Sequence, residues 1–103
     1  MVKSVKVAKV KEVQKFGKKV ITLGDEEILI LSLDDGFYAV SNRCTHLNFP
    51  LSKGRVEDSV IECPGHKGKF DVKTGKVLSS PPKISLRTYK LKIEGGDIYL
   101  KLD

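Results

Sequence analysis

Tryptophan is absent from this chain, and sulfur and imidazole are scarce: two cysteines, two histidines and one methionine among 103 residues. Four phenylalanines and three tyrosines are its only aromatics. Such a chain has length for one core and none for a second, so residues 1–103 are expected to form a single domain. A core this poor in large side chains would gain from a metal that staples two loops together. No apolar run approaches the roughly 20 residues of a membrane-spanning helix. The first ten residues intersperse lysine with valine and lack the apolar stretch of a secretory signal. A cytoplasmic protein with no membrane partner is therefore expected, and there two cysteines serve as metal ligands more readily than as a disulfide. A Cys44–Cys63 disulfide stays open as the structural alternative.

Charge is unevenly spread. Residues 1–20 carry Lys3, Lys6, Lys9, Lys11, Lys15, Lys18 and Lys19 against Glu12 alone, a balance of +6 that equals the net charge of the whole chain. The remainder holds twelve basic and twelve acidic residues and is neutral. Two readings of the lysine excess stand: a docking stripe for an acidic partner, or a solvated face that protects an edge strand from pairing. The lysines are not interleaved with aromatics, and no helix-turn-helix or RNA-binding motif is present, which argues against a nucleic-acid partner.

Alternation with a period of two dominates the chain, and no segment holds a 3.6-residue period. Val5 and Val7 flank Lys6 in a first strand, and Val20-Ile21 follow a turn around Gly17. Ile28 to Leu31, the turn Asp34-Asp35-Gly36 and Phe37 to Val40 read as a hairpin. Val60-Ile61 leads to a loop; Phe70-Asp71-Val72 and Lys76-Val77 flank Lys73-Thr74-Gly75 as a second hairpin. Leu86 to Ile93, the turn Glu94-Gly95-Gly96-Asp97 and Ile98 to Leu102 close the chain. Short strands broken by glycine-rich turns predict an all-β fold, an antiparallel sandwich or small barrel. Gly54 and Gly75 read as turn residues that need unusual backbone angles.

The two cysteines and two histidines are not scattered. They form Cys44-Thr45-His46 and, after sixteen residues, Cys63-Pro64-Gly65-His66, each pair in a loop that follows a strand. Zinc accepts two thiolates and two imidazoles in a closed tetrahedron. Finger-type zinc sites, however, pair Cys with Cys and His with His, whereas each loop here offers one of each. A [2Fe–2S] centre with cysteines on one iron and histidines on the other suits mixed loops.

At these residues the chain resembles the Rieske family, whose pattern is Cys-X-His followed by Cys-X-X-His. The resemblance continues through Gly68-Lys69-Phe70-Asp71, Thr74-Gly75, Pro81-Pro82 and the strand containing Tyr89. It implies a Rieske-type fold with two loops holding one [2Fe–2S] centre. By resemblance, Cys44 and Cys63 bind the buried iron and His46 and His66 the iron nearer the surface, while Pro81-Pro82 belong to a third loop that covers the site. Two ferric ions are balanced by two sulfides and two thiolates, so the oxidised centre is neutral. Four thiolates would leave two negative charges, which is why the histidines raise the potential.

High-potential members of the family carry an additional cysteine in each loop, joined as a disulfide, and a serine and a tyrosine whose hydroxyls bond to sulfur. Phe49, Gly65, Gly68 and Phe70 stand at the matching positions here. Each missing hydroxyl removes a donor that favours the reduced state, so the resemblance narrows to the low-potential ferredoxins of aromatic-ring dioxygenase systems. It implies a monomeric one-electron carrier, not an enzyme, with a flavin-containing reductase and a terminal oxygenase as partners. A subunit of a larger oxidoreductase, like the small subunit of nitrite reductases, and a structural zinc module are the alternatives. Arg43, Lys53, Lys67 and Lys69 flank the loops as steering charges or as ordinary solvated ones. Leu47, Phe49, Pro50 and Leu51 read as an apolar collar or as loop packing.

Overall fold

The structure, a computed structural model, describes residues 3–45, 48–65, 67–79, 82 and 84–101. His46, Leu47, His66, Pro81, Lys83 and Leu102 lie outside them, as do both ends of the chain and Ser80.

Among the described residues, eleven strands form three antiparallel sheets, accompanied by one α-helix and one short 3-10 helix, Leu51–Lys53. A central sheet runs in the order β2 (Lys18–Leu23), β3 (Glu26–Leu33), β4 (Gly36–Ser41) and β9 (Thr88–Tyr89). On one side lies a three-stranded sheet of β1 (Ser4–Lys9), β11 (Asp97–Lys101) and β10 (Leu91–Glu94). On the other lies a small meander of β5 (Arg55–Glu57), β6 (Val60–Glu62), β7 (Lys69–Asp71) and β8 (Val77–Ser79). The all-β antiparallel architecture is the one the alternation predicts.

The central position of β3 explains its sequence. Ile28, Leu29, Ile30 and Leu31 are all buried, because successive side chains point to opposite faces and both faces are covered. Ile28 and Ile30 join Ala8, Val13, Ala39, Ile98 and Leu100 in one cluster. Leu29 and Leu31 join Val40, Leu51, Ile61, Phe70, Val72, Leu86 and both cysteines in a second, so the core expected as one is split by the central sheet into two layers that share β3. At about 25 cal/mol per Å² of apolar surface, each of the buried valine, leucine, isoleucine and phenylalanine side chains contributes roughly 2 kcal/mol.

Three local readings are corrected. Between β1 and β2 the chain does not merely turn at Gly17; Val10–Phe16 form a short helix, α1. Gly17 ends it in the left-handed region (φ 79°), with its N–H donating to the Val13 carbonyl. Only Val13 is buried within α1, so seven residues leave no periodic signal to read. The segment from Leu86 to Ile93 is two strands rather than one. β9 pairs with β4 in the central sheet and β10 with β11 in the outer one, so the chain changes sheets at Lys90 while its alternation continues. Gly54 has ordinary extended angles (φ −83°, ψ 174°). It is required for space instead: a Cβ there would stand 2.0 Å from the Glu62 carbonyl oxygen. Gly75 does take a positive φ of 79°.

The surplus lysines fall on β1 and β2, each an edge strand, and on α1 between them. Several are engaged: Lys6 with Asp97, Lys19 with Glu12, and Lys18 with the Ser52 carbonyl.

Candidate metal centre

Both cysteines sit in loops that leave and re-enter paired strands, and both loops close in the same way. In the first, the Cys44 N–H donates to the Phe49 carbonyl at 2.9 Å, and the Asn48 N–H donates back to the Cys44 carbonyl at 2.9 Å. In the second, the Cys63 N–H donates to the Gly68 carbonyl at 2.7 Å, and the Lys67 N–H donates to the Cys63 carbonyl at 3.0 Å. The residue that completes each turn has a left-handed backbone, Asn48 at φ 61° and Lys67 at φ 62°. Asparagine adopts that conformation readily; lysine does so at a cost of about 1 kcal/mol, which the two closing bonds offset. Two short segments unrelated in sequence thus present one cysteine each in equivalent positions.

The bases of the loops are pinned. β6 and β7 pair Glu62 with Lys69 directly below the second loop. Below the first, Asn42 is buried, the one buried polar side chain among the described residues. Its backbone N–H donates to the Glu27 carbonyl and its carbonyl accepts from Leu51. Its side-chain oxygen accepts from the Ser52 N–H at 2.8 Å, and its amide nitrogen donates to Glu27 Oε1 at 3.1 Å. Arg43 extends the clamp, pairing with Glu27 Oε2 at 2.5 Å and donating to the Asn48 carbonyl at 3.2 Å inside the loop. The guanidinium of Arg43, and after it the amide of Asn42, hold the Glu27 carboxyl below its usual range. Sequence reasoning passed over Asn42 and Glu27. An asparagine two residues before a candidate ligand, at the end of an apolar strand, was the available signal.

The three loop segments converge. Cys44 and Cys63 are both fully buried thiols in one apolar cluster with Leu51, Ile61, Phe70, Val72 and Leu86. The Phe49 ring lies across Gly65, where a Cβ would stand 2.3 Å from ring carbons Cδ2 and Cε2. The Thr45 hydroxyl donates to the Ile84 carbonyl at 2.6 Å, tying the first loop to the stretch around Pro82, itself buried. Gly75 anchors that stretch from behind by accepting from the Leu86 N–H at 2.7 Å. Leu51 proves to be core rather than collar, at 0% exposure, whereas Phe49 remains 38% exposed.

Two soft donors brought from separate loops into one buried apolar cluster suit a thiolate-bound iron–sulfur group. Buried Gly68 and fully buried Phe70 line the second loop without a hydroxyl. Among the described residues no group of three or more Cys, His, Asp or Glu forms. The other two donors named from sequence, His46 and His66, lie outside the described residues.

Comparison with known proteins agrees with this chemistry. The model of the Rieske [2Fe–2S] domain matches residues 3–90. The ferredoxin component of biphenyl 2,3-dioxygenase from Rhodococcus jostii is 40% identical over 80 residues, covering 78% of this chain and 75% of that protein. The ferredoxin of carbazole 1,9a-dioxygenase from Nocardioides aromaticivorans superimposes with a TM-score of 0.87 at 30% identity, over 94% of this chain and 95% of that one. A chain in a complex of reduced oxygenase and oxidised ferredoxin of carbazole 1,9a-dioxygenase does so with a TM-score of 0.87 at 32% identity, over 94% and 91%. With its matched loops, its buried cysteine pair and this agreement over most of its length, the chain belongs to the Rieske [2Fe–2S] domain family.

Proposed function

We propose that this chain is a low-potential Rieske ferredoxin, a one-electron carrier between a flavin-containing reductase and a terminal oxygenase. Cys44 and Cys63 would hold one iron of a [2Fe–2S] centre and His46 and His66 the other. The observation that carries the reading is the pair of identically closed loops, each delivering one buried cysteine to the same apolar cluster. Relatives that are ferredoxin components of dioxygenases support the role.

When bound, the centre supplies one electron reversibly. The chain's own residues do the rest. Cys44 and Cys63 coordinate as thiolates, and the clamps at Asn42 and at Glu62–Lys69 hold their loops in one geometry. The Phe49 ring and Pro82 shield the pocket from water. Gly68 and Phe70 offer no hydroxyl to stabilise added negative charge, which keeps the potential in the lower part of the roughly −150 to +300 mV span of such centres. The chain is a carrier and not itself an oxygenase, since a mononuclear iron site needs two further histidines and a carboxylate. Both histidines present are already assigned. No described helix is long and apolar enough to cross a membrane.

Iron and acid-labile sulfide analysis of the purified protein tests the reading. Equal amounts of iron and sulfide, two of each per chain, are expected; zinc without sulfide would overturn it.

A further inference from the structure

We infer that the pole bearing the two cysteine loops is a basic docking face for an acidic protein redox partner; this rests on the carrier reading above. Three segments meet at that pole, joined by the Phe49–Gly65 contact and by the Thr45–Ile84 hydrogen bond. Residues 42–54, 63–70 and 84–87 contain Arg43, Lys53, Lys67, Lys69 and Arg87, and not one aspartate or glutamate.

Ion pairs sort these cations. Arg43 and Arg87 are drawn down to Glu27 and Glu26 on the flank of the central sheet. Lys53, Lys67 and Lys69 are exposed and enter no ion pair among the described residues. The same segments also expose apolar groups, Phe49 at 38% and Ile84 at 68% exposure. An apolar centre with a charged rim is the anatomy of a protein interface, and it makes a protein face rather than a polyphosphate the fitting complement.

The opposite pole carries both signs. β4 runs from the Asp34–Asp35 turn to the first cysteine loop, and β6 runs from the Asp58–Ser59 turn to the second. Asp34, Asp35 and Asp58 line a cleft of about 690 Å³ at that far end together with Lys18 and Lys73, and Lys73 pairs with Asp35. Exposed Lys53, Lys67 and Lys69 have no acidic residue within their own segments, so an acidic partner is drawn to the cysteine-bearing face.

The test uses the reduced holoprotein and two small oxidants of opposite charge, hexacyanoferrate(III) and hexaammineruthenium(III), in stopped flow across ionic strength. Oxidation by the anion is expected to slow as salt rises, and oxidation by the cation to quicken. The triple variant Lys53→Glu, Lys67→Glu, Lys69→Glu should invert both trends and slow the anionic oxidant about tenfold at low salt. A second triple, Lys9→Glu, Lys11→Glu, Lys15→Glu, has the same net charge and should leave both trends in place. Equal responses from the two triples, or no salt dependence, would overturn the proposal. Titration with poly-L-glutamate, read from the amide shifts of Lys53, Lys67 and Lys69, needs no electron flow. Shifts confined to residues 9–19 would count equally against it. Iron and sulfide are measured first, so a chain that fails to assemble its centre contradicts the carrier reading while the polyglutamate measurement still decides this one.

Discussion

The ring of Phe49 occupies the space that any side chain at residue 65 would need, so one loop's aromatic residue depends on the other loop's glycine. The relationship links the two cysteine loops across their outer surface. High-potential relatives join the matching positions covalently; here a ring lies on bare backbone. Gly65→Ala should force the ring outward and destabilise the protein by about 1–3 kcal/mol. Phe49→Ala removes the obstruction, so the double variant should cost less than the sum of the single ones. Urea midpoints of the four proteins measure this, and strict additivity would show that the contact carries no coupling.

The low potential proposed above is assigned to the hydroxyls missing at Gly68 and Phe70. Gly68→Ser together with Phe70→Tyr restores two hydroxyls beside the cysteine pocket and should move the potential upward in protein-film voltammetry. An unchanged or lower potential would refute the assignment of low potential to these two positions.

Thr45 joins the first loop to the segment around Pro82 through one hydroxyl. Thr45→Val, which keeps the shape and loses the donor, should cost about 1 kcal/mol of stability and speed the loss of iron to a chelator. Thr45→Ser keeps the hydroxyl and should behave like the parent. Chelation half-times of the three proteins separate the bond from the packing.

Glu27 gives the clamp a pH dependence of definite sign. Its carboxyl is held below the usual glutamate value of 4.5 by Arg43 and then Asn42. A depressed folded value means that the stabilisation is fully present above 4.5 and is lost as pH falls through the lower folded value. Glu27→Gln should lower the thermal midpoint at neutral pH and flatten its decline on the acid side. A parallel acid limb in parent and variant would remove Glu27 from this role.

The alternation of Ile28 to Leu31 with Phe37 to Val40 made the central hairpin legible, because burial on either face reads as the same apolar pattern. The spacing of Cys44 and Cys63 in loops was equally plain, since nothing else in the chain carries a thiol. What sequence could not display were contacts without period. Helix α1 buries a single residue, the corner at Lys90 changes sheets without breaking alternation, and Gly54 is fixed by a carbonyl eight residues away. Asn42 belongs with these, for a buried amide is recognised only once its partners on β3 and after the first loop are known.

The part of the chain that bears both cysteines leaves the central sheet after Ser41 and returns beside it, where the Ser41 N–H donates to the Arg87 carbonyl. Everything between is an excursion with adjacent ends, built from hairpins of short sequence separation. The outer frame is the reverse: β1 pairs with β11, Ser4 opposite Lys101, joining the two extremes of the sequence. Loop-closure entropy weighs most on that last pairing and least on the excursion. In refolding, the cysteine-bearing hairpins can therefore form while the frame is still open. Shortening either terminus should consequently slow closure of the frame before it disturbs the two loops.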